Sequence, residues 1–416
     1  MAISINSIYE IAILVIGFIA FAFLAWRNFE RALYLVIIFL PLYILKVKLF
    51  IIPFNVLEIL IWFLFAVWIL RGAYRNIDLS KFKDFLWPVV LILGGVILGL
   101  FISDNFKISA GIFKGWFLTP LIFALILVGE LKGDEKKKNI FWSFYISAVL
   151  VAIIALSYYI GGKVTFDGRL SAFFLSPNHL AMYLAPGFLA GLGLFGLTDS
   201  RKQRILLAAG LFICGLSIYF TFSYLAWISV LAAAAFWPII KFKWLDKNDK
   251  KLLLIGCLLF VILLAGLFFS QFGSEKLDNL LHSDRSSWQS RLMIWRAAGE
   301  IIKDHPILGI GAGMFQGYYL KYQSRFSVPY LEWAVPQPHN LFLAFWLQAG
   351  LAGLVGLIWL LAVFFKKTFS LLKNKNQLAL ILIILMGYII LHGLLDTTYF
   401  KNDSAVIFWI IIALAI

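Results

Sequence analysis

The chain has 416 residues, of which 62% are hydrophobic and 14% charged, with a formal net charge of +15 and a mean hydropathy of +0.93. So much apolar surface cannot be hidden in one water-soluble core, which excludes a soluble enzyme or binding module and makes the bilayer the solvent. The positive charge is therefore read against the spans, as a record of which loops stay in the cytoplasm, and membrane lipids rather than nucleic acid are the expected surroundings.

Apolar runs recur in chain order at 8–26, 32–45, 54–70, 86–103, 111–130, 140–160, 180–197, 205–221, 225–240, 252–270, 340–365, 377–395 and 404–416. Most stay apolar over about 17 to 22 residues, the length of a membrane-crossing helix, whereas spanning strands would alternate polar and apolar positions. The expected fold is an all-α polytopic integral membrane protein, with residues 1–416 forming a single membrane domain of about 12–13 transmembrane helices. The first run has no basic stretch before it and carries Glu10, unlike a cleaved signal, so it reads as a retained helix. The last run is short for a span, as a run cut off by the end of the chain would be. Cys214 and Cys257 both fall inside apolar runs and read as small packing residues.

Every second loop is basic: Arg27 and Arg31; Arg71, Arg75, Lys81 and Lys83; Lys132 and Lys136 to Lys138; Arg201, Lys202 and Arg204; Lys241 to Lys251; Lys366 to Lys375. Loops rich in Lys and Arg remain cytoplasmic, so the N-terminus is expected outside and the C-terminus inside, in a bacterial cytoplasmic membrane. One connection differs from the rest. Residues 271–338 form a long extracytoplasmic loop with room for short helices, and loops of that length commonly carry function. Within it, Ser286 or Ser287 can cap a helix that runs to Asp304, with Trp288, Leu292, Trp295 and Ile302 on one side. His305 and Pro306 stop it. Such a helix would lie as a lid on the membrane surface.

The polar residues that do not serve orientation gather on the outer side. They are Asp167, Arg169, Asn178 and His179 after the sixth span; Arg291, Arg296, His305 and the glycines 309, 311 and 313 in the long loop; Gln337, His339 and Asn340 at its end; and His392, Asp396, Lys401, Asn402 and Asp403 after the twelfth span. All five histidines lie there. No paired histidine or Asp-x-Asp spacing occurs in the loops, so neither a metal nor a cofactor is expected. The glycine series follows no strand and is read as a tight turn able to offer amides to a phosphate.

At these residues the chain resembles the superfamily of bacterial O-antigen ligases and O-antigen polymerases, which transfer lipid-linked glycans. The motifs are Arg169 to Met182 with Pro177, Asn178 and His179; Arg291 with Trp295; His305 to Phe315; His339 to Gly353; and His392 to Trp409. Residues 140–416 carry the resemblance best. It implies a periplasmic loop between two late spans, a histidine at His339, arginines at Arg291 and Arg169, an undecaprenyl-diphosphate-linked glycan as donor, and a carbohydrate or lipid-anchored acceptor. Where many relatives have a Ser-Arg pair after the eighth span, this chain has Ser223 followed by Tyr224.

The chemistry of the residues leads the same way. No nucleotide sugar is present outside the cytoplasm, so a donor must carry its own leaving group, and a departing diphosphate calls for cations where its charge grows. Arg169 and Arg291 suit that task, since a guanidinium stays protonated and grips two oxygens at once. The acceptor hydroxyl needs a base, and His339, at the positive end of a long helix, is expected to stay neutral and serve. Asn340 could orient it. Asn178 and His179 are read as substrate-positioning residues, Trp295 as a ring that stacks on sugar, and His392 with Asp396 as a costly ionisable pair that points to function. With no nucleophilic carboxylate beside His339, the expected reaction is a single, inverting displacement. Polymerase and ligase both remain open, with the shared domain leaning towards polymerase or general polysaccharide export. A secondary transporter or lipid-linked oligosaccharide flippase is the alternative, and it would require interrupted helices, mid-membrane charges and two related halves.

Overall fold

The computed structural model describes residues 3–4, 8–49, 52–241, 266, 269–270, 272–273, 287–326, 332 and 335–416. Most of the expected tenth span, 252–270, with Cys257, and Ser286 with most of 271–286 lie outside the described residues. Among the described residues, six helices are long and apolar enough to cross a membrane, and five shorter apolar helices accompany them. The all-α polytopic reading holds. The strands found are short: β1 (Ile3–Ser4) pairs parallel with β2 (Leu45–Leu49), which pairs antiparallel with β3 (Ile52–Asn55).

The helices follow the apolar runs closely, with one early exception. Helix α1 is Ile8–Arg27 and leaves Ile13, Ile16, Ile19 and Phe23 exposed, a stripe suited to lipid. The second run does not make one span. Helix α2, Phe29–Ile38, is 10 residues long, about 15 Å at 1.5 Å per residue, and a tight turn at Leu40–Ile44 containing Pro41 hands the chain to β2. Helix α3 (Val56–Leu70) starts where the Asn55 side chain accepts the Glu58 N–H at 2.9 Å, a cap that satisfies a donor the helix cannot.

Next come α4 (Lys83–Ile102), α5 (Phe106–Glu130), α6 (Asp134–Ile160), α7 (Pro177–Leu197), α8 (Arg201–Phe220) and α9 (Tyr224–Lys241). One turn of α5, Phe113–Leu118, is wound as a π-helix, a form often found at functional sites. In the long loop, α10 (Ser287–Asp304) and α11 (Phe315–Tyr322) precede α12 (Leu341–Lys373), α13 (Leu378–Gly393) and α14 (Asn402–Ala415). Helices buried on all sides belong at the centre of a bundle. Helix α14 is buried from Asp403 to Ala415, and α13 nearly throughout.

The eleventh span departs from a plain rod. Gly350 has φ 67° and ψ −173°, so α12 is two helical segments in sequence. Such a conformation is open to glycine alone. The break is filled by the loop: Leu351 donates its N–H to the Ile307 carbonyl at 2.8 Å, and Ile310 donates to the Leu347 carbonyl at 2.7 Å. Gly309 fits there because a Cβ would strike the carbonyls of Trp346 and Leu347. This corrects the expectation for the glycine series. Its backbone is keyed into α12, with the Gly313 N–H given to the Gln348 side chain at 3.2 Å, and the Ile310 and Gly313 amides are therefore taken. Helix α4 packs along α12 at the same level, where Gly95 lies against Ala349 and Gly353 and leaves no room for a side chain, the small-residue contact that lets two membrane helices close together.

The lid helix α10 has the expected bounds, but its buried face is Ser290, Ile294, Ala297, Ala298, Ile301 and Ile302. Of the four residues expected to share one side, only Ile302 is on that face. Trp288 is exposed, and Leu292 and Trp295 are half-buried, because the inner face packs on α11 and on Leu347 of α12, which leaves Trp295 lining the cleft beside Asn340.

Candidate active site

His339 sits two residues before the start of α12, in the left-handed region at φ 48°. That placement costs a non-glycine residue about 1–2 kcal/mol, and it is held by what surrounds it. The cap belongs to Asn340, whose side-chain oxygen accepts the N–H groups of Phe342 and Leu343, each at 3.0 Å. Its amide donates to the Leu394 carbonyl at 2.8 Å. The His339 carbonyl takes the Trp295 indole N–H at 3.3 Å. Both contacts fix the backbone from which the imidazole projects.

The imidazole Nδ1 lies 3.0 Å from Asp396 Oδ1. Asp396 is 3% exposed, and the same oxygen accepts the Thr397 N–H at 2.8 Å. Burial alone would lower the His339 pKa, but the charge and hydrogen bond of Asp396 outweigh it and hold the ring above its ordinary value of 6.5. Burial works to raise Asp396, and there the facing His339, with His392 and Arg291, wins and keeps the carboxylate ionised. The helix dipole, expected to disfavour the imidazolium, is outweighed by a carboxylate in contact, which favours it.

Asp396 and His392 were expected to act as an ionisable pair four residues apart. Both are buried and each feels the other's charge, but α13 ends at Gly393, the backbone turns, and the hydrogen bond between them is a main-chain one, from the Asp396 N–H to the His392 carbonyl at 3.0 Å. The fully buried His392 turns its Nδ1 to the Tyr388 hydroxyl at 2.8 Å.

Arg291 reaches from the lid to the same turn. Its Nε donates to the Leu395 carbonyl at 2.8 Å and an Nη to the Ser287 carbonyl at 3.2 Å. Its charge is felt at His339, His392 and Asp396. Arg169 stands in a neighbouring group: Nε donates to the Thr221 carbonyl at 2.8 Å, Nη2 to Asn178 Oδ1 at 2.9 Å, and Nη1 lies 3.7 Å from Asp167. Among the described residues no hydrogen bond or ion pair joins Arg169 to His339 or Arg291. The link runs through the start of α7, where Ser176 caps the helix by accepting the His179 N–H at 3.2 Å. His179 feels the charges of Lys401, Asp396 and His339.

Five buried side-chain atoms among the described residues have no hydrogen-bond partner: His179 Nδ1, Ser223 Oγ, His392 Nε2, Lys401 Nζ and Asp403 Oδ2. All five sit at this end of the bundle. Orphaned buried polar atoms are rare and call for a reason. A second polar group adjoins them, with Lys114 donating to Glu58 at 2.8 Å and Asn402 donating to Glu58 at 3.0 Å and to the Gly115 carbonyl in the π turn at 3.3 Å. Among the described residues no three His, Cys, Asp or Glu side chains gather as metal ligands. Below His339, an apolar cleft lined by Trp295, Asn340, Phe342, Leu343, Trp346, Leu354 and Ile358 runs down one side of α12.

Residues 209–358 match the family described as O-Antigen ligase. A protein from Salmonella typhimurium (strain LT2) named O-antigen ligase is 26% identical over 338 residues, covering 75% of this chain and 79% of that protein. Both matches support the O-antigen ligase superfamily, the one its motifs resemble.

Proposed function

We propose that this chain is a member of the O-antigen ligase superfamily and a bacterial inner-membrane enzyme of surface polysaccharide biosynthesis. It moves a glycan from an undecaprenyl-diphosphate carrier to an acceptor hydroxyl, on the extracytoplasmic side. The observation that carries this reading is the His339–Asp396 pair, 3.0 Å apart, under a lid that brings Arg291 to the same turn. Asp396 accepts a hydrogen bond from the Nδ1–H, which leaves Nε2 as the nitrogen for substrate. The acceptor hydroxyl gives its proton to Nε2 as its oxygen bonds to the anomeric carbon. The bond from that carbon to the diphosphate oxygen breaks, and the electron pair leaves with the diphosphate, whose growing charge faces Arg291 and Arg169. Asp396 stabilises the imidazolium that forms without taking its proton. One displacement inverts the anomeric centre.

Asn178 orients Arg169, Asn340 fixes the His339 backbone, and Trp295 offers its ring beside the cleft. The relative's name supports a ligase type of transfer, onto a lipid-anchored acceptor, over joining one lipid-linked repeat to the next. A transporter calls for interrupted helices, and α12 is interrupted, but the freed groups of Leu347 and Leu351 are bonded to the chain's own loop rather than lining a passage. The test is the surface polysaccharide of a deletion strain, together with the anomeric configuration of the product formed by purified protein. Loss of lipid-attached glycan with an inverted linkage is expected; unaltered polysaccharide, or retention, would sink the proposal.

A further inference from the structure

Lys401 has a setting that neither membrane orientation nor packing accounts for. It is the residue at which α14 begins, its side chain makes no capping bond, and a cation there opposes the positive end of the helix dipole. Its side chain is 13% exposed. Burying an ammonium is expensive unless its hydrogen bonds are met. An ammonium has three to give, and Lys401 Nζ makes none among the described residues. Asp403 does not meet the need. Its Oδ2 is 3.7 Å away, a charge contact beyond hydrogen-bond reach, and its Oδ1 is taken by the Ser404 N–H at 2.8 Å.

The position of the amine is equally telling. It lies 5.7 Å from the centre of the Phe174 ring, just ahead of Asn178 and His179 in the chain, and its charge is felt at both His179 and His392. The amine thus lies beside the segment that leads into α7, and its charge reaches one histidine next to the Arg169 group and one next to the Asp396 turn.

We propose that Lys401 is a third cation for the diphosphate of the lipid-linked donor, contributing direct hydrogen bonds where the two arginine groups meet. The assignment rests on the donor reading above. Arg291 spends two nitrogens on backbone carbonyls and Arg169 one on a carbonyl and one on Asn178, so both are anchored, while the Lys401 amine keeps all three of its hydrogen bonds to give among the described residues.

The test measures binding of undecaprenyl diphosphate, and of undecaprenyl monophosphate as the comparison, to the purified full chain in nanodiscs. Lys401→Gln is expected to weaken diphosphate binding about tenfold or more, the usual worth of a charge-assisted hydrogen bond, with a much smaller change for the monophosphate. Lys401→Arg is expected to keep most of the affinity. The double variant Lys401→Gln with Asp403→Asn separates roles: a lysine that merely neutralises Asp403 would be rescued, whereas a phosphate ligand would not. Undiminished binding in Lys401→Gln, or rescue in the double variant, overturns the assignment and leaves the donor reading intact. A wild-type chain that binds no undecaprenyl diphosphate removes both.

Discussion

The two ends of the helix bundle use charge in opposite ways. At the end that carries Lys81, Lys132, Arg201, Lys202 and Lys373, these basic side chains are exposed, and ion pairs such as Lys136 with Glu30, at 2.9 Å, are more than a third open. At the other end Asp396, His392 and Asp403 are buried and Lys401 nearly so. Solvated lysines cost little to keep and record orientation. Buried ionisable groups are costly, and a chain retains them where a reaction uses them.

That contrast can be broken by substitution. The largest effect is expected at His339: His339→Gln should lower transfer by about 10²–10⁴, the range for removing a general base, with normal protein levels in the membrane. Transfer at the wild-type rate would end its role as base. Asp396→Asn comes next, with a loss of about a hundredfold and a change in pH dependence whose sign follows from the pair. In the wild type the carboxylate holds His339 above 6.5, so the base is deprotonated, and activity rises, only as pH passes through a value above 6.5. Without the carboxylate, burial pulls the ring down and the rising limb moves to lower pH. A pH–rate profile that keeps its limb would reduce Asp396 to a scaffold.

Smaller effects sharpen the picture. Gly350→Ala forces a side chain into a glycine-only conformation and against the Ile307 carbonyl, for a loss of about 1–3 kcal/mol seen as a lower melting temperature in detergent. An unchanged midpoint would mean that the loop does not depend on the break. At the opposite end, Lys202→Gln should change stability by less than about 0.5 kcal/mol and leave transfer unaltered, and a marked loss there would erase the contrast between the ends.

What the sequence disclosed follows from how local each signal is. The end of α10 was legible because the His305–Pro306 stop acts on neighbouring residues. The spans were legible because bilayer thickness sets their length. The break at Gly350 was not, since Ala349 to Gly353 reads as an ordinary small-residue stretch and its partner, residues 307–313, comes some forty positions earlier. Spacing of i and i+4 paired Asp396 with His392, yet the helix ended between them and gave the carboxylate to His339. Lys401 had a usable signal, a lone lysine at the start of an apolar helix, where the dipole disfavours it.

The keyed break in α12 also bears on how the protein is made. As one straight rod its 33 residues would measure about 50 Å, against a hydrocarbon layer of about 30 Å. The 307–313 stretch precedes the span in the chain, so the carbonyl and amide that meet the break at Gly350 are synthesised before the helix they complete.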